Sequence, residues 1–235
     1  MATLKDAKEV ADTIVKTIQP HTVVVFGSVV KYGTGNDIDL LIVYDDGDNT
    51  IEVLNQDVNK NLKCFYKRFA IDPFVVSLSD LRNFFKKGSP FLRLIQREGR
   101  VLYMKDSVKQ WLKHSKEDIE SAKYLLQGGF FRGACYHSQQ AIEKTIKALL
   151  LKKGWELEKV HNIERLKEIG EDYGIKLDVS DDDIIFIDSV YRGRYPGEEG
   201  LLPIGDPGED DAKKAVLIAQ NILDKIRNYF SGEAI

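Results

Sequence analysis

Apolar residues in the first half of the chain fall into two kinds of pattern. Residues 3–19 carry apolar side chains three and four positions apart, which predicts an amphipathic helix that ends before Pro20. Residues 22–27, 37–45 and 69–77 are short apolar runs with the length and β-branched content of buried strands. Strands that alternate with helices predict an α/β domain, built on a mixed sheet with flanking helices.

Weaker signals complete this half. Residues 50–63 have weak helical spacing, Ser79 is positioned to cap a helix that runs to Lys87, and Pro90–Glu98 forms another short helix. A last short strand is expected at 101–104. Pro73 lies inside the third apolar run, and because proline cannot donate to a ladder, that strand is expected at an edge of the sheet.

From Asp106 onward the pattern changes to successive helices without a strand signal. The predicted helices cover residues 106–126, 131–153, 161–173, 180–191 and 210–230. Residues 192–207 are rich in proline and glycine and are expected to form a loop. The sequence thus predicts an all-α helical bundle at 106–235, behind an α/β domain at 1–105.

Composition and charge indicate a soluble globular protein. The net charge of −3 argues against a wholly basic nucleic-acid binder. Cys64 and Cys135 have no metal-ligand spacing and are typical of two reduced cysteines in a cytosolic protein. No apolar run of membrane-spanning length and no charged-then-apolar leader is present, so a cytoplasmic protein without membrane contact is expected.

The candidate chemistry lies where the apolar runs begin and end. A Gly27-Ser28 turn follows the first run, Asp37 and Asp39 begin the second, and Asp72 lies in the third. Strand alternation places Asp37 and Asp39 on one face, and Asp72 joins them if the two strands are neighbours. Carboxylates suit Mg²⁺, and two-metal transfer chemistry needs them around ions about 4 Å apart. Backbone N–H groups of the Gly27-Ser28 turn are suited to a triphosphate.

This arrangement resembles the nucleotidyltransferase domain of the DNA polymerase β superfamily, and specifically its minimal nucleotidyltransferases. The resemblance covers residues 1 to about 104. It implies that Asp37 and Asp39 hold two Mg²⁺ ions, that Asp72 completes the cluster, and that Gly27-Ser28 grips the triphosphate. The implied reaction moves a nucleoside monophosphate from an NTP, with ATP the favoured donor, to a hydroxyl acceptor and releases pyrophosphate. The acceptor stays open between a small molecule, a protein and an RNA.

The loop after the glycine–serine turn departs from that family. Many members carry Arg-Gly after the turn and Ser directly before the first aspartate, whereas this chain has Lys31-Tyr32-Gly33 and Asn36. Lys31 can still offer positive charge to a phosphate, although as a point charge and not as a planar fork.

The second half looks like a HEPN domain over roughly residues 108–230. The resemblance is carried by Trp111, Ala122, Leu125-Leu126, Phe131, residues 139–144, Leu149-Leu150, His161 and Arg194-Tyr195-Pro196. It implies a helical bundle, a homodimer through that bundle, and an association with minimal nucleotidyltransferases, either fused or as the neighbouring chain of a toxin–antitoxin pair.

Many HEPN proteins are ribonucleases that use an Arg-x4-6-His motif, whose spacing Arg132 and His137 meet. Five residues of helix rotate by roughly 140°, so the two side chains would not converge within one chain, and convergence would require a dimer. Two alternatives to nucleotidyl transfer therefore stay open: a ribonuclease of toxin–antitoxin kind, and a nucleotide-binding or interaction module without turnover.

Glu143 has two interpretations. It can form an ion pair with Lys147 at i+4, or it can act as the general base that deprotonates the acceptor hydroxyl. Related aminoglycoside nucleotidyltransferases draw such a carboxylate from their helical domain. His161 is expected to cap a helix or to make a surface contact. Basic residues dominate 60–116 and acidic residues dominate 171–211. This pattern indicates two solvated faces, a basic rim that receives triphosphate or RNA, or an acidic half that docks on the basic half within the chain or across a dimer.

Overall fold

A computed structural model describes residues 1–47, 50–192 and 206–231. The chain divides into two units, Met1–Lys105 and Asp106–Ile235. The Arg194-Tyr195-Pro196 segment that contributed to the HEPN resemblance lies outside the described residues.

The first unit is built on a mixed sheet with flanking helices, which confirms the predicted fold class. Its elements are β1 (Ala2–Thr3), α1 (Leu4–Ile18), β2 (Thr22–Phe26), α2 (Ser28–Tyr32), β3 (Thr34–Gly35), β4 (Asp37–Tyr44), α3 (Ile51–Leu62), β5 (Ala70–Ser77), α4 (Leu78–Lys86), α5 (Pro90–Glu98) and β6 (Arg100–Met104). The main sheet has the order β5-β4-β2-β6, in which β4 and β5 are parallel and the other pairs are antiparallel. The short strands β1 and β3 pair separately.

Both faces of the main sheet are covered by helices, which explains why its central strands read as continuous apolar runs. On β4, Leu40 and Ile42 point into the core that packs against α1 and α3. Leu41 and Val43 point to the other face and pack with side chains of α4 and α5. Because side chains alternate along a strand, the odd-numbered aspartates at the start of β4 share the α4–α5 face.

Two details of this unit test the sequence predictions. Pro73 does lie on an edge strand, since β5 ends the sheet. The predicted cap of α4 was wrong by two residues. Ser77 is the cap, and its Oγ accepts a hydrogen bond of 3.1 Å from the Asp80 backbone N–H. The Ser79 N–H instead donates to Asp46 Oδ1 at 2.9 Å, because the extended backbone already ends at Ser77.

The second unit is helical, as predicted. Its described residues form α6 (Ser107–Gln127), α7 (Phe131–Lys152), α8 (Ile163–Asp172), α9 (Asp181–Arg192) and α10 (Glu209–Ser231). The α7 helix packs against the other four, and its Ile142, Ile146 and Leu150 are fully buried in the core. No helix in the described part of the chain combines the length and the apolar character needed to cross a membrane.

Two roles were expected for His161, a helix cap or a surface contact, and the start of α8 corrects the first of them. Asn162 is the cap, with its Oδ1 accepting a 2.7 Å hydrogen bond from the Arg165 backbone N–H. The His161 ring instead places Nδ1 3.1 Å from Glu143 Oε1. Asparagine is a strong N-cap residue, so the correction follows from ordinary capping preference.

A buried ion pair lies inside the bundle. Lys147 Nζ is 2.8 Å from Glu143 Oε1, as the i+4 spacing predicted. The two side chains are only 3% and 5% exposed. The Trp111 ring lies 5.4 Å from Lys147 Nζ and adds a cation–π contact. Each charged side chain can therefore remain buried in the core because the other neutralises its charge.

We expect Lys147→Met to lower the free energy of unfolding by about 3–5 kcal/mol, because it leaves a buried carboxylate without its ammonium partner. Urea denaturation of the full chain measures this change. Lys113→Met is the matched control, since Lys113 forms an i+4 pair with Glu117 at 3.9 Å on the exposed face of α6. That change is expected to leave stability nearly unaltered. Equal losses in the two variants would contradict the prediction.

Candidate functional site

Three aspartates meet at the beginning of β4 and β5. The parallel register pairs Asp39 with Asp72, and Asp37 precedes Asp39 by two residues on the same face. One carboxylate oxygen from each residue lies within 4.8 Å of the other two. Asp37 and Asp39 are half-buried, whereas Asp72 is exposed. The structure therefore brings together the three carboxylates that the sequence analysis singled out.

The cluster gathers negative charge in a partly buried place. Burial raises the pKa of Asp39, and the neighbouring charges of Asp37 and then Asp72 raise it further. Like charges at such separations disfavour one another's ionised form. A set of hard carboxylate oxygens is also the donor set that Mg²⁺ binds, usually with water and substrate phosphate completing its shell. The residues present therefore fit a magnesium site.

Gly27 allows the backbone to approach this cluster closely. Its φ is +73°, and a Cβ built at this position would lie 2.0 Å from Asp39 Oδ2. The preceding residue, Phe26, is the register partner of Asp39 on β4. Only glycine satisfies both the backbone conformation and the space that remains beside the carboxylate.

Ser28 follows directly and begins α2. Its Oγ is buried and has no hydrogen-bond partner within the described residues, which is unusual for a buried hydroxyl. A Cβ at Gly35 would lie 2.1 Å from this Oγ, so Gly35 makes room for it. Gly35 was not among the residues predicted from the sequence, although a glycine two residues before Asp37 could have indicated it. Lys31, predicted to contact phosphate, lies in the last turn of the same short helix and has an exposed side chain.

Glu143 lies in the second unit and is enclosed by residues of that unit. Lys147 and His161 both contact its Oε1, and the Gln139 side chain approaches Oε2. The proposed alternative of an ion pair with Lys147 is therefore present in the structure. A general-base role for Glu143 stays a prediction.

The Arg132 and His137 side chains pair with different acidic residues. Arg132 Nη1 is 4.0 Å from Asp206 Oδ1, while His137 Nδ1 is 2.8 Å from Asp118 Oδ1. The same Asp118 also bonds Lys144. Asp118 is largely buried and was not singled out by the sequence analysis, since its partners come from another helix.

We expect Gly27→Ala to weaken Mn²⁺ or Mg²⁺ binding at least about tenfold, because the added Cβ displaces the Asp39 carboxylate from the cluster. Calorimetric titration of the metal measures the effect. Gly33→Ala is the matched control, since Gly33 also has a positive φ but no atom within 4 Å of its would-be Cβ. Both variants lose stability from backbone strain, so a shared loss of metal affinity would contradict the specific role of Gly27.

A second prediction concerns pH. Because the pKa of Asp39 is raised in the folded state, the native protein binds a proton there more readily than the unfolded chain does. Without metal, the wild type therefore loses stability as pH rises from about 4 through the native pKa of Asp39. Asp39→Asn removes this loss and is expected to melt at a higher temperature than wild type at neutral pH. The difference should vanish below about pH 4.

Thermal unfolding at several pH values, with and without Mg²⁺, measures both parts of this prediction. Added Mg²⁺ is expected to raise the melting temperature of the wild type and to leave that of Asp39→Asn much less changed. A variant that melts below the metal-free wild type at neutral pH would contradict the charge repulsion.

Comparison with known proteins gives local and domain-level matches. A putative toxin of Methanocaldococcus jannaschii is 44% identical over 46 residues, which are 20% of this chain. The match covers 30% of that relative, so the chain spans about a third of its length. An archaeal HEPN homologue is 27% identical with a TM-score of 0.40, and covers 52% of this chain and 96% of its own.

A nucleotidyltransferase-like protein from Exiguobacterium sibiricum is 13% identical with a TM-score of 0.34, and covers 93% of this chain and 75% of its own. Both of these TM-scores lie below 0.5, so the family assignment depends on a different match. The family model for the HEPN domain matches residues 108–229, which is just over half of the chain. The protein therefore belongs to the HEPN family.

Proposed function

We propose that the first unit is a Mg²⁺-dependent nucleotidyltransferase, which moves a nucleoside monophosphate from an NTP to a hydroxyl acceptor and releases pyrophosphate. ATP is the favoured donor. The observation that carries this proposal is the convergence of three carboxylate oxygens within 4.8 Å beside the Gly27 turn. Asp37 and Asp39 would hold two ions, and Asp72 would hold one of them. Bound Mg²⁺ would neutralise charge on the transferring phosphate.

The Gly27-Ser28 turn is the proposed binding site for the β- and γ-phosphates. Its backbone lies against the Asp39 carboxylate, so a triphosphate held there has its α-phosphate beside the acidic cluster. Backbone N–H groups in such turns form anion-binding concavities. The exposed Lys31 ammonium, from the same short helix, adds positive charge for the phosphates.

The sheet order favours an approach of the acceptor from the side opposite to the Gly27-Ser28 turn. The leaving and attacking oxygens of a phosphoryl group stand roughly in line in this class of reaction. With pyrophosphate leaving toward Gly27-Ser28 after β2, the acceptor hydroxyl approaches from the β5 side of β4. Asp72 is the exposed carboxylate on that side and is suited to accept the hydroxyl proton.

The family match favours a second candidate function, which is RNA cleavage by the HEPN unit as part of a toxin–antitoxin pair. The relative described as a putative toxin adds support to this candidate. Arg132 and His137 bond different acids within one chain, so cleavage by this pair would need a second copy of the bundle. A homodimer through the bundle remains a prediction, and the acceptor stays open between a small molecule, a protein and an RNA.

The test is pyrophosphate release from labelled ATP with Mg²⁺ and a panel of small-molecule, protein and RNA acceptors. We expect Asp37→Ala and Asp39→Ala to lower the rate at least about a hundredfold, since each removes several kcal/mol of charge stabilisation. Asp45→Ala is the matched control. Asp45 lies just past the other end of β4, where it pairs with Lys105 at 2.7 Å. Wild-type release no faster than that of the Asp37 and Asp39 variants would refute the transferase.

The same proteins separate the alternatives. ATP binding without turnover in the wild type would identify a nucleotide-binding module. Cleavage of RNA that is lost in Arg132→Ala and His137→Ala, but retained in Asp39→Ala, would identify the ribonuclease.

A further inference from the structure

Three phenylalanines from three separate elements pack together in the first unit. The Phe91 ring, on α5, lies between Phe26 at the end of β2 and Phe74 on β5. Its centroid is 5.5 Å from that of Phe26 and 5.1 Å from that of Phe74. Interplanar angles of 82° and 73° make both contacts edge-to-face. We call this set the aromatic wall.

The aromatic wall stands on the same face of the sheet as the acidic cluster. Phe26 is the register partner of Asp39, and its side chain packs with the Leu41 face. Phe74 follows Asp72 by two residues, so it lies on the same face about 7 Å further along β5. The wall therefore borders the carboxylates in the direction in which β4 and β5 run.

Exposure distinguishes the aromatic wall from the rest of this face. On the same face, Val43 and Val76, and Leu41 as the register partner of Phe74, are buried beneath α4 and α5. Phe74 and Phe91 are 40% and 36% exposed. Large rings left open beside a polar cluster are typical of a binding site, in which apolar walls surround a few directed polar groups.

We propose that the aromatic wall binds the nucleobase of the donor nucleoside triphosphate by stacking on Phe74 and Phe91. This inference depends on the proposed nucleotidyl transfer, and it adds a binding site for the nucleobase of the donor. It assigns a binding role to Phe74 and Phe91, which lie outside the acidic cluster and the Gly27-Ser28 turn, while Phe26 packs against Phe91.

The geometry of the transfer favours the donor base over the acceptor as the occupant. In the proposed transfer the in-line axis would run across the strands, from the turn after β2 to Asp72 on β5, because β4 with Asp39 lies between these two strands. The oxygen that carries the ribose is equatorial on the reacting phosphorus, so the nucleoside leaves this axis sideways. The plane perpendicular to this axis contains the strand direction, and the aromatic wall stands along the strands from the acidic cluster. The acceptor, by contrast, stays on the axis near Asp72.

Stacking has a chemical consequence for donor choice. Every nucleobase has a π-face, so stacking on phenylalanine tolerates any base and strengthens with ring area. Stacking on the aromatic wall is therefore expected to favour purine over pyrimidine triphosphates, and it does not by itself distinguish ATP from GTP.

The test compares the binding of a non-hydrolysable ATP analogue with that of inorganic tripolyphosphate, both with Mg²⁺ and the full chain. Stacking predicts that the analogue binds about 5- to 100-fold tighter than tripolyphosphate. Phe74→Ala and Phe74→Leu are expected to abolish most of that advantage, without changing the affinity for tripolyphosphate. Phe74→Trp should keep it. Phe85→Ala is the control, since Phe85 is 51% exposed on α4 and is not part of the wall.

The outcomes separate this inference from the proposed function. If wild type binds tripolyphosphate and the analogue equally, the nucleobase site is refuted while the phosphate site survives. If Phe74→Leu keeps analogue binding but loses turnover, the wall serves the acceptor and the inference is again refuted. If wild type binds neither compound, the proposed transferase fails and the inference fails with it.

Discussion

The parallel pairing of β4 with β5 is the constraint on which the site depends. Its register sets Asp39 beside Asp72, and a shift of one residue would turn Asp72 to the opposite face of the sheet. The apolar residues further along both strands hold this register, because Leu41 and Val76 must enter one core while Ile42 and Val75 enter the other. Burial at one end of the strands therefore positions carboxylates at the other end.

The pairing of β4 with β5 also brings together carboxylates that repel one another. The pKa of Asp39 is raised by burial and by two neighbouring acids, so the folded state holds these groups against their preference. Gly27 brings the backbone against the same carboxylate, so the carboxylate has no space on that side in which to move away from its neighbours. A site arranged in this way is suited to a divalent cation, since the ion relieves the repulsion that folding imposes.

Local patterns predicted much of the fold, and long-range packing decided the rest. Alternation placed Asp37 and Asp39 on one face, and proline chemistry placed β5 at an edge. Adjacency of Asp72 required the strand order, which no local pattern contains. The aromatic wall was beyond prediction for the same reason, because Phe26, Phe74 and Phe91 belong to three elements that meet only in the folded unit. Ser77, and not Ser79, caps α4 because the extended backbone of β5 ends at Ser77.

Carboxylates in the two units have opposite kinds of charged neighbours. This difference favours the first unit as the place for metal binding. Glu143 is matched by Lys147, and Asp118 by Lys144 and His137, so these carboxylates have their counter-charges within the bundle. The spacing of Glu143 and Lys147 predicted their contact, although it did not reveal that both are buried. Asp39 instead has carboxylates among its nearest charged neighbours. An acid already neutralised by lysine has little to offer an incoming cation, whereas clustered acids gain the most from one.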